Sequence, residues 1–335
     1  MRLRYVDPSV PGYSRRRRGR GFEILGPDGE RIDDPELVDR VRELVIPPAW
    51  KDVWICPWPN GHLQATGRDT AGRLQYLYHD AWRTERDREK FARMLDFAGA
   101  LPALRTQVAE DLALRGLAHD RLLACVTRLL DRGFFRIGGE AYAEENGTFG
   151  LATLRKRHVQ LPADGSIRFS FVAKGRKRRN LRVVDDEALR VLRALKRRNG
   201  RPELFAYRNG KGIVPIRSGD VNAYIRTHAG GPFSAKDFRT WHATVLASVA
   251  VSVLGGRVRS RSSRQRVVLQ ASREVARYLG NTPAVCPDSY IDPRVFERFH
   301  EGATIRIDLD ELGERGPERD LRSSEEAVVR LLSGS

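Results

Sequence analysis

The sequence predicts an α+β protein, with a small strand-rich amino-terminal domain ahead of a larger, mainly helical domain that holds a three-stranded meander. Three observations carry this. Between residues 22 and 78, short β-like runs alternate with turn signals such as Pro27-Asp28-Gly29 and Pro59-Asn60-Gly61. From Ala81 onward, apolar residues recur at helical spacing. Between His158 and Val184 the pattern returns to period two around a Pro162-Ala163-Asp164-Gly165 turn. The change of character near residue 82 divides the chain into a domain over 1–82, a domain over 83–320 and a loose tail over 321–335.

Residues 1–21 read as an irregular arm, with Pro8, Pro11, Gly12 and the run Arg15–Arg18. Such an arm suits solvent as well as a polyanion. Phe22–Ile32 reads as two short strands, and Pro35–Leu44 as a short helix closed by Ile46-Pro47-Pro48. Val53–Cys56, His62–Thr66 and Leu74–Tyr78 follow as strands. In the last of these, Leu74, Tyr76 and Tyr78 share one face and Gln75 and Leu77 the other. Arg73, Gln75, Tyr76 and Tyr78 therefore offer donors and phenols from one small unit, although tyrosines in a strand serve a core equally well.

Helices are expected over Arg83–Arg93, Leu101–Arg115 and Arg121–Leu130, where Leu122, Val126, Leu129 and Leu130 form a stripe. Ile167, Phe169 and Phe171 alternate as a half-buried strand. That strand runs into Lys174 at the base of a basic hairpin tip, K-G-R-K-R-R, which includes Arg176 and Lys177. A tip of this kind suits a nucleic-acid groove, and basic turns are also commonly just solvated. Further helices are Asp185–Arg198, Val221–Thr227 and the longest, Ser234–Leu254, where Phe238, Trp241, Val245 and Val249 mark a buried face. Gly255–Arg266 reads as a linker. Val267–Leu279 is helical again, with Gly280 as its C-cap, and Asp292-Pro293 starts a helix over Arg294–His300.

Sixty Lys+Arg against 43 Asp+Glu give a net charge of +17, an excess that favours a polyanionic partner, most commonly nucleic acid. Cys56, Cys125 and Cys286 form no CxxC pair, which argues against a disulfide framework and a zinc site. No phosphate-binding G-x-x-x-x-G-K-[ST] run is present, and no G-x-G-x-x-G follows a strand. The acidic residues show no cluster of the kind a two-metal nuclease needs. The longest apolar run, Trp241–Leu254, is too short to span a bilayer. The chain reads as cytoplasmic and nucleoid-associated, without membrane, nucleotide, metal or other cofactor.

What remains is a tyrosine, arginines and a lysine. Arg136 stands between Phe135 and Ile137, and a buried guanidinium must be paired or meet an anion. One of the nearby glutamates would satisfy it as well as a ligand. Arg239 lies near the start of the longest helix, where the backbone also favours anions. Tyr290 follows Gly280, Asn281 and two prolines. Such residues suit metal-free phosphoryl transfer: arginines stabilise the non-bridging oxygens, a lysine protonates a leaving oxygen, and a phenol attacks.

In order, the runs I-P-P-A-W-K-D-V-W-I-C, G-R-L-Q-Y-L-Y-H, F-F-R-I-G, F-V-A-K-G, K-D-F-R-T and G-N-T-P-A-V-C-P-D-S-Y resemble the type IB DNA topoisomerases, specifically the small poxvirus-like bacterial branch. The resemblance covers roughly residues 40–300 and implies a C-shaped, monomeric clamp on double-stranded DNA. It implies that Arg136 and Arg239 hold the scissile phosphate, that Lys174 is the general acid, and that Tyr290 forms a 3′-phosphotyrosyl bond. It also places Gln75, Tyr76 and Tyr78 on DNA from the amino-terminal domain, and Tyr142 near the substrate. Asn281 stands where the poxviral enzymes carry histidine; an amide donates to a phosphate oxygen but carries no proton at neutral pH. Gly139 and Ala141 stand where the viral pattern has lysines. The alternative is a site-specific tyrosine recombinase of the same chemistry, which the strand-rich amino-terminal part fits less well.

Overall fold

Short strands need partners, and the amino-terminal runs find them in one antiparallel sheet. A computed structural model describes residues 2–256, 258, 260–282, 289–306 and 321–334. The chain divides into two compact units, residues 1–92 and 93–335.

In the first unit, β1 (Tyr13–Arg18), β2 (Gly21–Leu25), β3 (Lys51–Ile55), β4 (Leu63–Arg68) and β5 (Leu74–Tyr78) form a sheet ordered β2-β1-β3-β4-β5. Helix α1 (Pro35–Glu43) begins at Asp34, whose carboxylate accepts from the Glu36 N–H at 3.0 Å. Ile24, Val41, Ile46, Val53, Ile55 and Ala65 make the core. The basic run is therefore not an irregular arm. Arg15 donates to the carbonyls of Ile46 and Trp50 at 2.9 and 3.2 Å and stacks over Phe22 at 4.1 Å. Beyond Tyr13, which packs against this core, the strand offers arginines and no apolar alternation to reveal it.

Helix α2 (Asp80–Leu112) runs unbroken through the segment from Ala81 that was expected to be helical. In the second unit, α3 (His119–Arg132) packs against α5 (Asp186–Arg197), α6 (Ser218–Ala229) and α7 (Ala235–Gly255), and α7 packs against α8 (Arg261–Leu279). A short helix α4 (Glu140–Asn146) follows α3. The expected meander is β6 (Val159–Gln160), β7 (Ile167–Ala173) and β8 (Lys177–Val183), and β9 (Ala206–Arg208) pairs with β10 (Ile213–Pro215). Of the expected apolar stripe of α7, Phe238, Trp241 and Val245 are fully buried or nearly so, and Val249 is half-buried. Helix α8 begins at Arg261, inside the expected linker, because Ser260 caps it by accepting from the Ser263 N–H. Helix α9 (Pro293–Glu301) starts at its Asp292 cap.

The expected loose tail is a correction. Residues Leu321–Ser333 form helix α10, with Val328 buried and Leu332 nearly so. Arg105 donates to Asp131 at 3.0 and 2.8 Å and to Glu325 at 2.6 and 2.9 Å. The Trp241 indole donates to Glu325 at 3.1 Å. Burial of Asp131 opposes its charge, and His242 and Arg105 outweigh that, holding the carboxyl far below its usual range. Among the described residues no helix is long and apolar enough to cross a membrane.

Candidate active site

Arg136 leaves α3 on a crossing that backbone contacts pin. Its carbonyl accepts from the Leu151 N–H and that of Ile137 from the Ala152 N–H, both at 2.8 Å. Gly138 has φ of 82°, and a Cβ there would lie 2.7 Å from the Gly150 Cα; a Cβ on Gly150 would lie 2.4 Å from the Gly138 Cα. Only glycine at both positions lets the two segments approach this closely. The Arg136 side chain is half-buried, and its Nη2 donates to Oδ1 of Asn281 rather than to a glutamate.

Arg239 is brought to the same place by α7. Ser234 and Asp237 cap that helix reciprocally, the carboxylate accepting from the Ser234 N–H at 2.8 Å and its hydroxyl at 2.9 Å. Arg239 is 4% exposed and donates to the carbonyls of Phe134 at 2.6 Å and Leu279 at 3.1 Å. Burial, then the Arg136 charge, pushes the guanidinium below its ordinary value. Among the described residues, its Nε and the Nδ2 of Asn281 are buried donors with no acceptor, the kind of group that a ligand oxygen satisfies.

Asn281 follows the end of α8. Gly280 turns the chain with φ of 66°, and the Asn281 N–H returns to the Ala276 carbonyl at 2.9 Å. Pro283, Cys286 and Pro287 lie outside the described residues. Tyr290 is half-buried, and two residues on, the Asp292 N–H donates to Thr244 Oγ1 of α7 at 3.1 Å. The Arg239 guanidinium carbon lies 5.3 Å from the Tyr290 ring centroid. Burial pushes the phenol up, but Arg239 and Arg136 outweigh it and hold the phenol below its ordinary value.

Lys174 ends β7 at the hairpin tip, where Gly175 has φ of 77°. It is exposed, and its side chain joins Arg136, Arg239 and Tyr290 around one cavity of about 440 Å³. Lys236 and Ser218 also line it, and among the described residues no carboxylate does. Lys236 opens the K-D-F-R-T run, a position only the helix start reveals as facing the cavity. Arg176 and Lys177 are exposed on the hairpin and do not line the cavity. Tyr142 sits on α4, and its side chain lies outside the described residues. Among the described residues no group of three or more His, Cys, Asp or Glu side chains is placed to hold a metal ion.

In the first unit, Asp69 gathers the β4–β5 hairpin. It accepts from Arg73 at 2.6 and 2.9 Å and from Gln75 at 3.0 Å, and Arg73 holds its carboxyl below the usual range. Tyr76 and Tyr78 are 48% and 36% exposed, with rings stacked 6.1 Å apart. They are surface residues, not core.

Comparison with known proteins bears on the whole chain. The profile described as eukaryotic DNA topoisomerase I, catalytic core, matches residues 79–306, and that of the bacterial DNA topoisomerase IB N-terminal domain matches residues 21–69. Over 309 residues the chain is 30% identical to DNA topoisomerase 1B of Acanthamoeba polyphaga mimivirus, covering 89% of this chain and 90% of that protein. Over 216 residues it is 26% identical to DNA topoisomerase 1 of Mycosarcoma maydis, covering 58% of this chain and 20% of that protein. Arg136, Lys174, Ser218, Lys236, Arg239 and Tyr290 around the cavity, and Asn281, lie inside the first match, whereas Arg73, Gln75, Tyr76 and Tyr78 fall between the two.

Proposed function

Since the chain belongs to the type IB DNA topoisomerase family, we propose that it relaxes supercoiled double-stranded DNA through a transient 3′-phosphotyrosyl bond at Tyr290, with neither ATP nor metal. Arg136 and Arg239 bind the non-bridging oxygens of the scissile phosphate and meet the charge that grows there in the transition state. Asn281 donates its free Nδ2–H to the same group. The Tyr290 oxygen attacks phosphorus, the bond to the 5′ oxygen breaks, and Lys174 gives that oxygen its proton. One phosphodiester replaces another, so the energy of the broken bond is retained. After the free strand end rotates, the 5′ hydroxyl attacks the phosphotyrosine and tyrosine leaves.

The observation that carries this reading is the cavity: a phenol held below its ordinary pKa, two arginines and a lysine around one space that, among the described residues, no carboxylate lines. A single chain supplies every one of these groups, which supports action as a monomer. Tyr76 and Tyr78, exposed and stacked, and the hairpin residues Arg176 and Lys177 are proposed DNA contacts. The test is a duplex whose downstream fragment diffuses away after cleavage, which traps the protein on the 3′ end. The wild type forms the covalent adduct in EDTA without ATP, and Tyr290→Phe forms none while still binding DNA. Adduct formation by Tyr290→Phe would sink the assignment.

A further inference from the structure

The last four carbonyls of α8 have no partners within the helix, as at any helix end, and here every one is claimed. Ala276 accepts from the Asn281 N–H at 2.9 Å, and Arg277 from the Gly280 N–H at 3.2 Å. Leu279 accepts from Arg239 at 3.1 Å. Tyr278 accepts from Nη2 of Arg179 at 2.6 Å, and the Nη1 of the same guanidinium reaches Arg277 at 3.4 Å. Arg179 comes from β8, opposite Phe171 of β7, on the hairpin whose tip is Lys174. It packs flat against the helix end: a Cβ on Gly280 would lie 2.4 Å from its Nη1 and 2.8 Å from its Cζ. Among the described residues, no carboxylate lies within ion-pair distance of Arg179, Arg136 or Arg239. Burial, then Arg136, pushes the Arg179 guanidinium below its ordinary value.

Gly280 and Asn281 alone would satisfy the first two of these carbonyls, as in other glycine-terminated helices. The two guanidiniums complete the set, and they tie the helix end to β8 on one side and α7 on the other. The next residue, Asn281, bonds Arg136. We propose that Arg179 is a positioning residue for strand cleavage: by fastening β8 to the last turn of α8 it sets Asn281, and through Asn281 the Arg136 guanidinium, at the scissile phosphate. This rests on the reading of the cavity given above. Arg179 acts through Asn281 and touches neither phosphate nor nucleophile.

The test is a double-mutant cycle in single-turnover cleavage, with DNA affinity measured separately. Arg179→Met keeps the length and removes the donors; it is expected to slow cleavage roughly tenfold to a hundredfold, the scale of a small misplacement at a reacting centre. DNA affinity changes by less than about threefold, since binding is spread over many phosphates. Arg179→Lys, with one point donor, recovers part of the rate. In an Asn281→Ala background, Arg179→Met costs nothing more, because the residue it positions is gone. Wild-type cleavage by Arg179→Met with a lowered melting temperature would reduce Arg179 to a stabilising cap. Losses that multiply in the double variant overturn the route through Asn281. If Arg179→Met fails to fold, Arg179→Lys enters the same cycle. Failure here with Tyr290→Phe still inactive leaves the cavity reading standing, whereas an adduct on Tyr290→Phe removes both.

Discussion

Arg239 is asked to do two separable things: to hold a phosphate oxygen and to favour the Tyr290 phenolate. The guanidinium carbon lies 5.3 Å from the ring, and unit charges at that separation interact by about 3 kcal/mol at an effective dielectric near 20. Solvent reaching a half-buried phenol and charge spread over the ring trim this without reversing its sign. The phenol is held low, so cleavage rises with pH through that lowered value. Neutralising Arg239 must move the rise upward. In Arg239→Gln the inflection is therefore expected at higher pH, toward the ordinary tyrosine value of about 10. Its plateau falls by roughly a hundredfold to a thousandfold for the lost donor. Arg239→Lys keeps the charge and loses the planar fork, so its inflection stays near the wild type while its plateau drops. The assay is single-turnover adduct formation from about pH 6 to about pH 10, where tyrosine ionises. An Arg239→Gln inflection at the wild-type position, with melting temperatures unchanged, would refute electrostatic activation of Tyr290.

Two further predictions concern what supports the site. Glu325→Leu leaves Arg105 with only Asp131 and strips the Trp241 indole of its acceptor; it is expected to cost about 3–5 kcal/mol, as for other broken buried pairs, read from the urea midpoint. Gly138→Ala drives a Cβ to 2.7 Å from the Gly150 backbone at φ of 82°; it is expected to cost about 1–3 kcal/mol and to slow adduct formation by shifting Arg136. Gly147→Ala, at φ of 60° with open space around it, is the control, costing about 1 kcal/mol at little expense to the adduct.

Much of the cavity was legible because its residues sit beside strong local signals. Arg239 follows a capping box, Gly280 ends a helix, and Lys174 closes an alternating strand. Each signal fixes a local geometry, and the geometry brings the groups together. Arg179 was not legible, since in K-G-R-K-R-R it is one basic residue among several. Only its strand register, opposite Phe171 and against the end of α8, sets it apart from exposed Arg178. The strand at Tyr13–Arg18 escaped for a related reason: after Tyr13, which packs against the core, its residues are a serine and four arginines, with Arg15 held by carbonyls, and no apolar period encodes that. Helix α10 carries polar residues whose meaning depends on Arg105, 220 positions earlier.

That distance has a consequence for biosynthesis. Arg105 is made early, and its second carboxylate partner only when the ribosome has reached Glu325. Until then the guanidinium has one carboxylate, and Trp241, two positions from Arg239 on α7, has no acceptor for its indole. Amino-terminal units fold first during synthesis, and contacts of such long sequence separation form late. The contacts of Arg105 and Trp241 with Glu325 are thus among the last of the nascent chain to form. A ribosome that stalls before Glu325 leaves a polypeptide whose cationic cavity is not yet braced.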